Sequence, residues 1–196
     1  MLIFAMAVRR LQHERDCVYW ITITCTMHLN LFDQTSSYSF ICHQLNLLHN
    51  EGYGVTGFVI MPNHMHLLIY VPEKLELNKR IGTMKRFIAY ELVKRLKLVN
   101  NIQTLELLES EVNQTDKSRG KRHDVFYSSF DARQILDEEM LLQKLNYAHQ
   151  NPVAGKWNLA HTALDYHWSS CRYYELGEKV FPFLTDYRTL LYGVWQ

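Results

Sequence analysis

No two cysteines in this sequence stand in a Cys-x-x-Cys spacing, and there are only four of them: Cys17, Cys25, Cys42 and Cys171. That scarcity excludes a zinc knuckle and a disulfide framework, and it reads as reduced thiols in a cytoplasmic protein. Charge of one sign is also missing. The net charge is +1, which excludes a uniformly basic nucleic-acid binder and leaves only a local basic patch open. No apolar run is long enough to span a bilayer. The opening stretch Met1 to Val8 is apolar, but Arg9-Arg10 follow it, whereas a secretory signal carries its positive charge in front. No membrane or secretory segment is expected, and neither an internal repeat nor a low-complexity stretch interrupts the chain.

What is present is enough apolar material for a core: 47% of 196 residues. This length suggests a single domain over 1–196. Its core spans about 17–160, with an insertion or mobile loop at 100–121 and an appendage at 161–196. Val18 to Met27 reads as a strand, because Ile21, Ile23, Cys25 and Met27 alternate with Thr22, Thr24 and Thr26. Ser37 or Ser39 can cap a helix running to about Glu51, which Gly52 and Gly54 stop. Val55 to Met61 and His64 to Val71 form two further strands joined by the turn chemistry of Pro62-Asn63.

Leu77 to Val99 predicts a long amphipathic helix with Leu77, Ile81, Met84, Ile88, Leu92, Leu96 and Val99 on one face. Lys79, Arg86, Tyr90, Lys94 and Lys97 cluster opposite, concentrating positive charge that the net value hides. A solvated helix face gives the same pattern. Leu105, Leu107 and Leu108 could form a short helix inside the polar 100–121 segment, and Val125 to Phe130 reads as a fourth strand. Asp131 or Asp137 then caps a helix to about Asn151 with an apolar stripe of Leu141, Leu145 and Ala148. Tyr147 lies about 130° from that stripe on a helical wheel. The order strand, helix, strand, strand, helix, strand, helix is an α+β, ferredoxin-like βαββαβ sandwich with an additional C-terminal helix.

The chemistry gathers at Met61-Pro62-Asn63-His64-Met65-His66. On a strand the side chains alternate, so His64 and His66 share one face and form half of a metal site. Two polar residues at the mouth of a strand give the same sequence. Tyr147 is followed by Asn151 one helical turn later. Taken alone, Tyr147 is an anchored helix tyrosine and Asn151 a helix cap.

As an ordered set, His64-Met65-His66, Tyr147 with Asn151-Pro152, and Trp168-Ser169-Ser170 resemble the single-tyrosine HUH transposases, in particular their REP-associated tyrosine branch. The segments from Gly57 to His66 and from Leu145 to Val153 carry most of the likeness, which spans about 17–175. The resemblance implies that His64, His66 and Asn151 hold a divalent cation, Mg²⁺ or Mn²⁺. It further implies that Tyr147 is the nucleophile, cutting and rejoining single-stranded DNA through a 5′-phosphotyrosine. The implied partner is single-stranded DNA with a hairpin, bound by a monomer or homodimer. Lys79, Arg86, Lys94 and Lys97 would then follow the backbone while Tyr90 stacks a base. Trp168-Ser169-Ser170 is expected to serve packing and capping. Two rival readings are a metal-dependent phosphodiester hydrolase that activates water at His64 and His66, and a non-catalytic DNA-binding module.

Overall fold

The structure is a computed structural model and describes residues 16–127 and 130–191. The apolar Met1 to Val8 stretch lies outside the described residues. β1 (Cys17–Thr24) leads through a short helix α1 (Leu31–Gln34) to α2 (Tyr38–Asn50). The hairpin β2 (Gly54–Ile60) and β3 (His64–Val71) follows, and then the long helix α3 (Leu77–Leu98). Next come α4 (Ile102–Ser110), α5 (Gln114–Ser118) and β4 (Asp131–Ile135). The chain closes with α6 (Glu138–Gln150), α7 (Cys171–Leu176) and α8 (Tyr187–Leu191).

The strands form one antiparallel sheet in the order β2-β3-β1-β4, so β1 and β3 are central, as the split βαβ pattern requires. The strict two-residue period then divides the sheet's side chains between two cores. Tyr19, Ile21, Ile23, Met65, Leu67 and Ile69 point to one face, where they pack with Ile41, Leu45 and Leu48 of α2 and the Ile81, Met84, Ile88 and Leu92 stripe of α3. Val18, Trp20, Val59 and Leu68 point to the other, against Leu141, Leu145 and Ala148 of α6. The histidines of β3 have the parity of Leu68, so they lie on the α6 side.

Gly57 faces Leu145 of α6. A Cβ built there would stand 2.6 Å from Leu145 Cδ1 and 3.2 Å from Leu68 Cδ1. Both atoms are side-chain methyls, so a side chain at this point of β2 would force Leu145, and to a lesser degree Leu68, to move. The β2–β3 register shifts between Val55 and Gly57, placing the glycine beside an irregularity of the ladder.

Several expectations need correction. The first strand stops at Thr24, because Met27 turns into the left-handed region at φ 51° and its side chain reaches solvent. Val99 is also exposed, just past the end of α3. The fourth strand is Asp131–Ile135, where a helix cap was one of the expectations, and not Val125 to Phe130. In the latter stretch Phe126 makes a single bridge to Cys25, and residues 128–129 are outside the described set. Asp137 is the cap of α6, its side chain accepting from Met140 N at 2.7 Å.

The 100–121 segment is helical where a loop was one reading. Leu108 is fully buried against the α3 side of the core, and Asn101 and Asn113 cap α4 and α5. Trp168-Ser169-Ser170 packs as expected, and the Ser169 hydroxyl accepts from Cys171 N, the first residue of α7, at 3.3 Å. Ser170 stands at the N-cap of α7 and makes no side-chain cap bond. Instead Ile60 N donates to Trp168 O at 2.9 Å, Ser170 N to Phe58 O at 3.0 Å and Phe58 N to Ser170 Oγ at 3.0 Å. The three residues therefore lie along the outer edge of β2. No helix among the described residues is long and apolar enough to cross a membrane.

Candidate active site on the second face of the sheet

The register of β1 against β3 pairs Thr22 with His66 and Thr24 with His64. The hydroxyl-bearing parity of β1 is thus the parity of the histidines, and the Thr22 hydroxyl lies 3.0 Å from His66 Nδ1. His64 Nδ1 donates to Asn63 Oδ1 at 2.6 Å. That carboxamide is itself oriented, because Asn63 Nδ2 donates to His28 O at 2.9 Å. A proton on Nδ1 leaves Nε2 of His64 with its lone pair, and Thr22 can fix His66 in the same tautomer. Among the described residues neither Nε2 has a hydrogen-bond partner.

The two rings are 4.9 Å apart between centroids. Burial is the main force holding the His64 pKa down to about 4, with His28 and Lys156 adding repulsion. Burial, then His64, then Lys144 bring His66 down to about 3. Both imidazoles are therefore neutral at pH 7, the form that can ligate a metal.

Tyr147 comes from α6. As its helical-wheel position predicts, it is off the buried stripe and about half exposed, at 54%. Its ring nevertheless meets His66 edge-on, with centroids 5.4 Å apart. Trp20 completes the contact: it stacks on His66 at 4.6 Å and meets Tyr147 at 5.9 Å. On the other side of the pair Trp157 covers His64 at 5.7 Å. Lys144 lies over the Trp20 ring and Lys156 over the Trp157 ring, so each aromatic wall carries a cation beside the histidines.

Asn151 falls in sequence between Tyr147 and Trp157, which each contact one histidine of the pair. It is buried at the end of α6, where the chain enters a short turn over Asn151–Val153. Among the described residues its side-chain amide has no hydrogen-bond partner, and it makes no hydrogen bond to either histidine. Its side-chain atoms are not among the fully buried unpartnered ones, the one such atom among the described residues being Gln44 Oε1, so the Asn151 amide still reaches solvent. No three His, Cys, Asp or Glu side chains among the described residues converge on one point. Among the described residues no Cys, Asp, Glu or further His joins the two imidazoles in such a group. Two nitrogens and one amide oxygen suit a divalent ion that keeps positions open for phosphate oxygens.

Sequence reasoning missed Trp20, Thr22, Asn63, Lys144 and Trp157. For Trp20 and Thr22 the signal was available, since residues 20, 22 and 24 share one strand parity. Trp157 sits in a loop, and nothing local announces where that loop goes.

Of the basic face of α3, Arg86, Tyr90, Lys94 and Lys97 line a single groove of about 1040 Å³, together with the segment from Arg119 to Tyr127. Lys79 is exposed on the same helix but does not line it.

No family model matches the sequence, and no curated protein matches it. Among solved structures, a REP-associated tyrosine transposase bound to a REP hairpin superposes with a TM-score of 0.58 and 15% identity. The alignment covers 92% of this chain and 92% of that one. At that identity the likeness establishes the fold, a four-stranded antiparallel sheet with helices in the arrangement of a tyrosine transposase.

Proposed function

We propose that this chain is a transposase-like DNA strand transferase that cleaves and rejoins single-stranded DNA through a phosphotyrosine at Tyr147. The observation that carries this reading is the 5.4 Å approach of the Tyr147 ring to His66, with the hydroxyl-bearing side chain half exposed to an incoming strand. A tyrosine serving only as an anchor would bury its hydroxyl on a partner; Tyr166 does so, donating to Ile60 O at 2.7 Å.

In this scheme the Tyr147 oxygen attacks phosphorus and loses its proton as the new P–O bond forms. The bond to the 3′ oxygen breaks, and that oxygen leaves with a proton as a 3′-hydroxyl. The DNA stays on the protein as a 5′-phosphotyrosine ester. A different 3′-hydroxyl can then attack the ester and restore Tyr147, without an outside energy source.

Trp20 and Trp157 wall off the histidines from bulk water, and Lys144 and Lys156 supply fixed positive charge for a phosphodiester. His64, His66 and Asn151 would hold a divalent cation, Mg²⁺ or Mn²⁺, whose contribution is to neutralise charge on a non-bridging phosphate oxygen and orient it. A hairpin beside the cleavage point, such as the one bound by the transposase of similar fold, is the substrate class we favour. The water-activating hydrolase is weaker, because no third histidine or acidic side chain among the described residues joins the pair to bind zinc or act as base.

The test is incubation with 5′- and 3′-labelled single-stranded hairpin DNA and Mn²⁺, followed by denaturing electrophoresis. The strand bearing the new 5′ end should migrate covalently with protein, and Tyr147→Phe should lose the adduct while still binding DNA. An equal adduct in Tyr147→Phe would reject Tyr147 as nucleophile, and free ends in multiple turnover without adduct would favour the hydrolase.

A further inference from the structure

Building on that reading, we infer that the groove between α3 and the Arg119–Tyr127 segment is a binding site for single-stranded DNA, carrying the strand that runs off the histidine pair. The segment that follows α5, Arg119 to Tyr127, forms its second wall. Leu108 is sunk in the core, and Asp124 N donates to Leu108 O at 2.8 Å, tying the wall to α4. Lys85 ties it to α3 by donating to Tyr127 O at 2.8 Å. The wall is thus a folded surface held at both ends.

Its charge is almost all of one sign. Asp124 is spent on Lys121 at 2.9 Å and Glu91 on Arg95 at 2.8 Å. Among the described residues Arg86, Lys97, Arg119 and Arg122 have no carboxylate partner, so their charge is available to a polyanion. Rings stand between these cations: Tyr90 is 65% exposed and Tyr127 43%. A duplex keeps its base faces stacked inside, so it would leave both rings without a partner. A single strand can stack on them while its phosphates follow the arginines and lysines.

The groove also connects to the candidate active site through consecutive contacts. Tyr127 N donates to Thr24 O at 3.2 Å, and Thr24 is the strand partner of His64. The Tyr127 ring lies edge-on to His28 at 5.6 Å. His28 O accepts from Asn63, which in turn orients His64. His28 holds this position with φ of 52°, directly after Met27 at 51°, a conformation that non-glycine residues take only where the surroundings enforce it. These contacts place His28 and Tyr127 between His64 and the cationic groove.

The test uses a fluorescein-labelled 15-mer of thymidine and a blunt DNA hairpin, titrated by anisotropy at several salt concentrations. The proteins are wild type, a Lys97→Gln/Arg119→Ser/Arg122→Ser variant and a Tyr90→Ala/Tyr127→Ala variant, each checked for an unchanged melting temperature. The cation variant should bind the 15-mer at least about ten-fold more weakly, with a salt slope flatter by about 2, since each single-strand phosphate contact contributes about 0.7. The tyrosine variant should lose affinity for the 15-mer and keep it for the blunt hairpin. An unchanged salt slope overturns the proposal, and so does an equal loss on both DNAs in the tyrosine variant, which would mark the groove as a duplex site. Adduct formation at Tyr147 is scored separately. An adduct in wild type with normal 15-mer binding by the groove variants rejects the groove and leaves the strand-transfer reading standing. Groove-dependent binding without any adduct does the reverse.

Discussion

Trp20 lies nearly flat on His66, with ring centroids 4.6 Å and planes 20° apart. The indole is buried between β1 and α6 and also touches Tyr147, so one side chain sets the position of both groups that the proposed chemistry uses.

Trp20→Leu should keep an apolar side chain on the sheet and remove the flat wall. His66 then loses the surface that fixes its ring, and Mn²⁺ affinity should fall about ten-fold, the lower end of what a metal site loses when the group orienting a ligand is removed. Titration calorimetry with Mn²⁺ reads this directly. Unchanged affinity in a folded variant would mean that Thr22 alone orients His66.

Acid should unfold this protein earlier than its carboxylates alone require. Burial lowers His64 and His149 to about 4 and His66 to about 3, while an unfolded histidine titrates near 6.5. Below 6.5 the unfolded chain takes up protons that the folded chain refuses, so unfolding is favoured as pH falls. The stability these neutral histidines allow is present above about 6.5 and is lost progressively from there down to about 4. Melting temperature measured from pH 7.5 to 4.5 should decline across that window, and less steeply in His149→Gln. A flat profile would show that the three imidazoles reach water in solution.

Gly57→Ala tests how α6 is seated. The new Cβ meets Leu145 Cδ1 at 2.6 Å, and overpacking of this kind costs about 1–3 kcal/mol. Tyr147 is two residues beyond Leu145, so the adduct yield should drop further than stability does. Leu145→Ala added to Gly57→Ala should recover part of the yield, and strictly additive losses would contradict the contact.

Ser170→Ala removes the oxygen that accepts from Phe58 N at 3.0 Å and sits 2.9 Å from His149 Nε2. Two buried groups lose a partner, and the cost should be about 1–3 kcal/mol. At this size that is a melting temperature lower by about 2–4 °C per kcal/mol. Calorimetry showing no change would mean that water replaces the hydroxyl.

The fold was legible where the pattern of apolar residues is regular. β1 alternates from Ile21 to Thr24, β3 shows as the apolar run Leu67 to Val71, α3 repeats every three to four residues, and Asp137 announces the start of α6. β4 was not legible, because Asp131–Ile135 is a lateral strand open to solvent, with burial confined mainly to Ile135. Its polar composition satisfies no strand pattern, whereas Val125 and Phe126 are apolar because they close the end of β1 and the flank of α3. Half of the candidate site was readable as well: strand parity puts His64 and His66 together, and the helical wheel puts Tyr147 off the core. That these two halves meet depends on how α6 packs on β2, with Leu145 against Gly57, which is a property of two elements distant in sequence. Trp157 reaches His64 through an irregular loop, and no local periodicity encodes such a path.

The chain after α6 has a consequence for how copies of the protein can associate. Trp168 and Ser170 occupy the hydrogen-bonding groups of Phe58 and Ile60, and Thr185 N donates to Val55 O at 2.8 Å. The outer side of β2 is thus already paired by the protein's own later residues. A second molecule cannot add its strand there, nor can an unfolded neighbour use β2 as a template for aggregation. On β4, at the other end of the strand order, Asp131 and Arg133 are exposed and paired with each other at 3.2 Å. Charges on such an edge weigh against strand addition, so the sheet is guarded at one border by covalent continuity and at the other by electrostatics.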